Sequence, residues 1–106
     1  MEQVAPAAVP ATPPKYHMLT CTYVADILEK RGPYRAEHIA GCRSAVEAGK
    51  MLMAGALGDP PEGLTAVWRP GVTVDEIRAF VEADAYVKNG LVTAWTIKPL
   101  TVVAGP

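Results

Sequence analysis

The sequence predicts an α+β protein in which two helices cover one face of an antiparallel four-stranded sheet. Strand-like segments rich in β-branched, aromatic or aliphatic residues alternate with helix-like segments in the order βαββαβ. Right-handed crossovers place both helices on the same face of the sheet, which is the split-βαβ or ferredoxin-like arrangement. The chain has 106 residues, which is enough for one such domain and no more.

The first strand is predicted over residues 16–24, where the segment YHMLTCTYV is rich in β-branched and aromatic residues. A single helical turn is expected over residues 26–31, because Asp26 and Glu29 have the spacing of a capping box. A Gly-Pro dipeptide then interrupts this turn, so the next helix is predicted to start beyond it.

The first long helix is predicted over residues 35–48, and Gly49 supplies a common helix stop. Helical periodicity assigns its inner face to three residues, which are Ile39, Cys42 and Val46. His38 is then expected on the shoulder of that face, about 70° from its centre.

The remaining strands form a hairpin and a final edge. Residues 51–57 are a short apolar segment, residues 58–63 (GDPPEG) are a loop, and residues 64–69 are the hairpin partner. After the second long helix, residues 86–90 are predicted to be irregular and residues 92–103 to form the last strand.

Asp84 is the least expected residue of the second long helix. The helix begins with Thr73 and Glu76, which are spaced as a capping box. Its apolar stripe contains Ile77, Phe80 and Val81, and the next position on this stripe is Asp84. A carboxylate there would face the interior in the last helical turn, where the helix dipole repels negative charge. Asp84 is therefore a candidate site residue that needs a compensating partner.

The second face of the sheet is predicted to be covered by another copy of the chain. In the first strand Met18 faces one side and Leu19 the other, and in the second strand Met51 and Met53 are expected on one side with Leu52 and Ala54 on the other. A sheet that is wet on one face would alternate apolar and polar residues. We therefore expect a homodimer with its sheets packed face to face.

Charge and hydropathy exclude two classes of partner. Ten basic and eleven acidic residues leave no field that would attract nucleic acid or an anionic membrane. No apolar run approaches the roughly 20 residues that span a bilayer. Two cysteines are too few for a disulfide-stapled domain, which favours reduced thiols and a cytoplasmic protein, although one disulfide remains an alternative.

The chain divides into an arm and a domain. Residues 1–14 are rich in alanine and proline, match no secretory or transit signal, and are predicted to be a flexible arm. Residues 15–106 form the folded domain. The arm is a candidate binding segment for a larger protein partner.

His38 and Arg35 lie three residues apart on one edge of the first long helix. A lone helix histidine is most often an ordinary half-covered surface residue, whereas the functional interpretation is a general acid or base. Arg35 would then hold an anionic group, or merely pair with a surface carboxylate. His17 and Cys21 are about 13 Å apart along a strand and no CxxC or HxxxH exists, so we expect no metal site.

Several segments resemble the YciI-like (YCII-related) family of the dimeric α+β-barrel superfamily, over about residues 15–103. The resemblance is carried by Leu28-Glu29-Lys30-Arg31, Arg35-Ala36-Glu37-His38-Ile39, Ala54-Gly55-Ala56, Glu82-Ala83-Asp84-Ala85-Tyr86-Val87, Gly90-Leu91-Val92 and Ile97-Lys98-Pro99. The Asp-Pro-Tyr motif of the family appears here as Asp84-Ala85-Tyr86, and its Gly-Pro as Gly55-Ala56. The missing prolines are expected to loosen the pocket wall.

From the residues themselves we expect Arg35 or Tyr86 to help bind a substrate. The resemblance implies a cleft with His38 and Asp84 as catalytic residues. The function it favours is an isomerisation or elimination on a small cyclic or aromatic acid, with no cofactor. One alternative is a non-catalytic ligand-binding or accessory subunit of a larger assembly. A second is a monooxygenase-like barrel, because the superfamily includes such enzymes.

Overall fold

The computed structural model describes residues 14–106. The predicted flexible arm, apart from its last residue, therefore lies outside the described residues. The elements in chain order are β1 (Lys15–Tyr23), α1 (Ile27–Lys30), α2 (Gly32–Glu47), β2 (Met51–Leu57), β3 (Gly63–Trp68), α3 (Val74–Ala83), α4 (Ala85–Lys88) and β4 (Val92–Thr101).

The four strands form one sheet in the order β2-β3-β1-β4, and every neighbouring pair is antiparallel. Strand β1 lies at the centre, where Leu19 pairs with Ala66 of β3 on one side and with Ile97 of β4 on the other. The two long helices are the crossover connections of a βαββαβ chain. The predicted ferredoxin-like α+β fold is confirmed.

The main core lies between this sheet and the helices α2 and α3. Leu19 and Ala66 from the sheet meet Ile77 and Val81 from α3, and all four are at most 1% exposed. Full burial of an aliphatic side chain of this size contributes about 1.5–3 kcal/mol. From α2, the half-buried Cys42 packs against the same cluster, so both helices cover one face as predicted.

Strand β2 contains an irregularity that the sequence does not reveal. Met51 pairs with Trp68 and Met53 pairs with the adjacent Val67, so the register shifts between the two methionines. Met51 is fully buried on the helix side, whereas Met53 is 61% exposed on the second face. The prediction that both methionines point to the same side was wrong, because a bulge reverses the alternation after it.

The helix termini agree with the sequence in α3 and differ elsewhere. Thr73 and Glu76 form the predicted capping box, with a 3.1 Å bond from the Glu76 amide to the Thr73 hydroxyl. The capping box predicted before α1 was wrong, because the Asp26 side chain caps no amide and pairs with Lys30 at 3.1 Å. Helix α2 starts at Gly32, earlier than predicted, since a proline in the first turn is compatible with a helix.

The second face of the sheet is mixed in character. Cross-strand pairing aligns Met53, Val67 and Met18 in an apolar row that ends at Lys98. The neighbouring row consists of Gly55 and three threonines, Thr65, Thr20 and Thr96. Within residues 14–106, no helix is long and apolar enough to cross a membrane.

Candidate functional site

Asp84 forms the junction between α3 and α4. Its extended backbone (φ −66°, ψ 136°) ends α3, and its side chain caps the N-terminus of α4. One oxygen, Oδ2, accepts from the amides of Tyr86 at 3.0 Å and Val87 at 3.3 Å. The prediction that Asp84 lies in the last turn of a helix was therefore wrong. A carboxylate at a helix N-terminus is favoured by the dipole, which explains how this position tolerates the charge.

His38 is the partner of the other Asp84 oxygen. Its Nδ1 lies 2.7 Å from Oδ1, and the two side chains are only 10% and 8% exposed. His38 is the one buried residue of α2, so the predicted shoulder position was wrong. The inner face of α2 instead contains His38 and Cys42, whereas the predicted inner residue Val46 is 42% exposed.

The hydrogen bond assigns different roles to the two nitrogens of the imidazole. An ionised carboxylate can only accept, so Nδ1 carries the proton that Oδ1 receives. In the neutral ring Nε2 then holds the lone pair, and in the charged ring it becomes a donor. No group within the described residues hydrogen-bonds to Nε2, which leaves it for a ligand. With the proton on Nδ1, the Nε2 atom of a neutral imidazole can accept a proton and later release it.

Two tyrosines fix the plane of the imidazole. The ring of Tyr86 stacks on His38 with centroids 3.8 Å apart and planes within 6°, and Tyr23 meets Tyr86 edge-on at 5.6 Å. Burial raises the pKa of the Tyr86 hydroxyl, while the nearby Arg31 and Arg35 act in the opposite direction. Since the net shift is upward, the hydroxyl is a neutral hydrogen-bond donor at physiological pH.

An open cleft separates α2 from β2 on the same side of the sheet. Its volume is about 340 Å³, and His38 and Tyr86 lie at its inner end. The β2 wall consists of Ala54, Gly55 and Ala56, so no large side chain projects into the space. Small residues on the strand thus create room for a molecule beside the imidazole.

Basic residues line the α2 wall of this cleft. The predicted binding residue Arg35 is one of them, and Arg31 and Arg43 are two more that sequence analysis missed. Arg31, the N-cap of α2, and Arg35 are four residues apart and therefore neighbours on the helix surface, and Arg43 follows after two more steps of four. This spacing is visible in the sequence, but it could be interpreted as one basic cleft wall only once the start of α2 was known.

On its interior side the His38–Asp84 pair borders two free cysteines. Burial, followed by the charge of Asp84, raises the pKa of Cys21 to about 12 and that of Cys42 to about 11. Both thiols are therefore protonated at neutral pH and are poor nucleophiles and metal ligands. In the part of the chain that the structure describes, no group of three His, Cys, Asp or Glu residues is placed to hold a metal.

The structure brings together all four residues that were predicted for the site. His38, Asp84 and Tyr86 are in direct contact, and Arg35 lines the same cleft. The missing proline at position 85 does not leave Asp84 unanchored, because two amides and one imidazole hold its carboxylate.

Fold and site together define a small ferredoxin-like α+β protein with a buried His–Asp pair beside an open, arginine-lined cleft. The family model of the YCII-related domain matches residues 16–101. The chain therefore belongs to the YCII-related family, which confirms the resemblance seen in its sequence.

The chain is also similar to a solved structure of 5-chloro-2-hydroxyhydroquinone dehydrochlorinase (TftG) from Burkholderia phenoliruptrix in complex with 2,5-dihydroxybenzoquinone. The TM-score is 0.65 and the identity 21%, over 78% of this chain and 90% of that chain. At this identity the likeness shows a shared fold. No curated protein matched the sequence.

Proposed function

We propose that this protein is an enzyme that performs acid–base chemistry, an isomerisation or an elimination, on a small cyclic or aromatic acid. The observation that carries the proposal is the 2.7 Å hydrogen bond between His38 Nδ1 and Asp84 Oδ1 at the inner end of the cleft. His38 transfers the proton, Asp84 orients the ring, and Arg35 and Tyr86 bind the substrate.

The proposed reaction begins when the Nε2 lone pair of His38 takes a proton from the substrate. In an elimination, the electrons of the broken bond form a double bond and expel the leaving group with its electron pair. In an isomerisation, the imidazolium returns the same proton to a different atom. Asp84 stabilises the imidazolium in either case. Both reactions redistribute protons and electron pairs within the substrate, so the proposal requires no metal or organic cofactor.

Two further observations support a small cyclic substrate. The volume of the cleft, about 340 Å³, lies at the small end of the range for ligand pockets of about 300–1,000 Å³. The name of the similar dehydrochlorinase describes an elimination from a hydroxylated ring, and its structure holds a quinone. An accessory subunit without a ligand would instead fill the cleft with side chains. A non-catalytic ligand-binding role is the outcome if ligands bind and none is converted.

The substitution Asp84→Asn provides the sharpest test of the proposed mechanism. The amides of Tyr86 and Val87 require an oxygen in the Oδ2 position, so the new side chain must direct its NH₂ group at His38 Nδ1. Nδ1 then becomes the acceptor and the proton moves to Nε2, which can no longer act as a base. Nitrogen-15 NMR distinguishes the two tautomers.

Thermal-shift screening of cyclic and aromatic acids identifies a ligand, because a molecule that binds the native state raises its stability. If the protein converts one of these ligands, we expect Asp84→Asn and His38→Gln to lower its turnover about 10²–10⁴-fold. A positioned acid–base group contributes a rate factor of this size. Asp75→Asn is the matched control, since the Asp75 side chain is 90% exposed on α3. Full turnover in Asp84→Asn with the proton on Nε2 would rule out His38 as the base.

We further propose that two copies of the chain pack through the second faces of their sheets. Met53 is 61% exposed on that face and begins the apolar row that continues through Val67 to Met18, and Leu57, four residues further along β2, is 41% exposed on the same face. Burial of such a row is favourable, and two identical faces satisfy each other.

Light scattering at micromolar concentration is expected to give twice the chain mass of 11.2 kDa. Met53→Lys is expected to shift the mass toward the monomer. Leu28→Lys places the same charge on another exposed apolar position, 51% exposed on α1, and is expected to leave the mass unchanged. A well-folded wild-type monomer would contradict this assembly.

A further inference from the structure

The arginines of this chain are concentrated at the cleft. Three of its five arginines, Arg31, Arg35 and Arg43, line the α2 wall, although the formal net charge of the chain is −1. None of the three is paired with a carboxylate among residues 14–106, and the described lining includes no Asp or Glu. Guanidinium groups that face a cleft without partners are suited to bind an anion, often with two hydrogen bonds to one carboxylate.

The arginines divide into two groups along α2. At 1.5 Å per residue, Arg31 and Arg35 are about 6 Å apart along the axis, and Arg43 is about 12 Å beyond Arg35. His38 lies between the two groups. The phenol of Tyr86 lies at the paired end, where the charges of Arg31 and Arg35 both act on its hydroxyl. A molecule bound beside the imidazole therefore meets cations at both of its ends.

We propose that the cleft selects a dianionic ligand, a ring or short chain with an acidic group at each end. Arg31, Arg35 and the Tyr86 hydroxyl hold the first group, and Arg43 holds the second. This inference rests on the proposed function for the place of the ligand beside His38, but it concerns binding and requires no turnover. It makes Arg43 a specificity-determining residue that distinguishes diacids from monoacids.

The test compares three probes that share one ring. Terephthalate carries two carboxylates, 4-carbamoylbenzoate replaces one of them by an uncharged amide of nearly the same shape, and benzamide carries no charge. Calorimetric titration of the full chain at low salt is expected to rank them in that order, with terephthalate bound at least tenfold more tightly than 4-carbamoylbenzoate. Higher salt is expected to weaken the two charged probes.

The arginine variants show which arginine binds each acidic group of the ligand. Arg43→Gln is expected to lower terephthalate affinity about tenfold, to the level of 4-carbamoylbenzoate, while the affinity for 4-carbamoylbenzoate stays unchanged. Arg35→Gln is expected to weaken both charged probes. Arg78→Gln, which removes an arginine paired with Asp75 on α3, is the control and is expected to change neither affinity.

Equal affinities for terephthalate and 4-carbamoylbenzoate would overturn the proposal, and so would the absence of binding by all three probes. An Arg43→Gln variant that weakens both charged probes equally would overturn the assignment of Arg43 to a second acidic group. The proposed catalytic function fails separately, through an Asp84→Asn variant that keeps full turnover, so the two failures are distinguishable.

Discussion

Helices α2 and α3 cover the same sheet face but bury very different side chains. The ten residues of α3 include two that are almost completely buried, Ile77 and Val81. The sixteen residues of α2 bury only His38, and its Val46 is 42% exposed beside the cleft. The inward face of α3 packs against the core. The inward face of α2 packs partly against the core and partly lines the cleft.

This difference shows how a small domain makes room for a site. One amphipathic helix and the sheet supply most of the apolar burial, so part of the second helix can line an open cleft beside strand β2. The small residues of β2 keep the gap open, and the side chains that line it are aromatic and basic as well as apolar. A weak apolar stripe on a long helix is thus a consequence of lining a cleft.

The same substitution on the two helices tests this contrast most directly. Val81→Ala is expected to lower the free energy of unfolding by roughly 2 kcal/mol or more, because it removes two methyl-sized groups from a site that is 1% exposed. Val46→Ala is expected to cost less than about 0.5 kcal/mol. Urea denaturation at one fixed protein concentration measures both. Equal costs would mean that α2 closes onto the sheet in solution and that the cleft is absent.

Helix α2 is also expected to contribute to the pH dependence of stability, through Cys42. The pKa of Cys42 is raised to about 11 from the reference value of 9.0, so the unfolded chain releases its thiol proton first as pH rises. This contribution to stability is complete below about pH 9 and is lost toward pH 11, by at most about 1.4 kcal/mol per pH unit for one group.

Urea denaturation at pH 8 and pH 10.5 is expected to show a loss of stability that is smaller in Cys42→Ala. Thr73→Ala, which removes the cap of α3, is expected to cost about 0.5–2 kcal/mol equally at both pH values. An unchanged pH dependence in Cys42→Ala would show that this thiol is not buried as described.

A small stabilising effect is expected from restoring the proline that is missing from the Asp-Ala-Tyr segment. Ala85 is the first residue of α4, where proline is favoured, and Asp84 before it already has the extended backbone that a following proline requires. Ala85→Pro is therefore expected to stabilise the protein by about 0.4–1 kcal/mol.

The same change two residues earlier, Ala83→Pro, falls in the last turn of α3 and is expected to destabilise by about 3 kcal/mol. Denaturant midpoints measure both variants. A destabilised Ala85→Pro variant would mean that this buried position has no room for the ring.

Most of the fold follows from the sequence because its signals are local and repeated. The strands, the α3 stripe and the Thr73–Glu76 cap each depend on spacing within a few residues, and all are found close to their predicted bounds. The bulge near Met53 could not be predicted, because one extra residue in a strand leaves no mark in its composition. Helix α4 was missed because four residues are too few to show a period.

The site was less predictable than the fold. Asp84 stood out as a charge on an apolar stripe, but its position as a helix cap required the actual end of α3. His38 was assigned to a shoulder, because Ile39 and Val46 suggested an apolar face that in fact borders the cleft. Arg31 and Arg43 were marked only by their spacing from Arg35, which could be interpreted only once the start of α2 was known. These arginines are related because they line the same cleft, and a cleft between elements leaves no periodic pattern in the sequence.

Asp84 has two structural roles, and they affect how an aspartate at this position in other members of the family is interpreted. One of its oxygens holds His38, whereas the other holds the first turn of α4, so the residue would be retained for folding alone. An aspartate at this position in a relative is thus weak support for an active enzyme. His38 caps no helix, and a relative that has lost its catalytic activity is under no such constraint to keep it. Under the proposed mechanism, the histidine, and not its partner, is the position at which loss of activity would become visible during divergence.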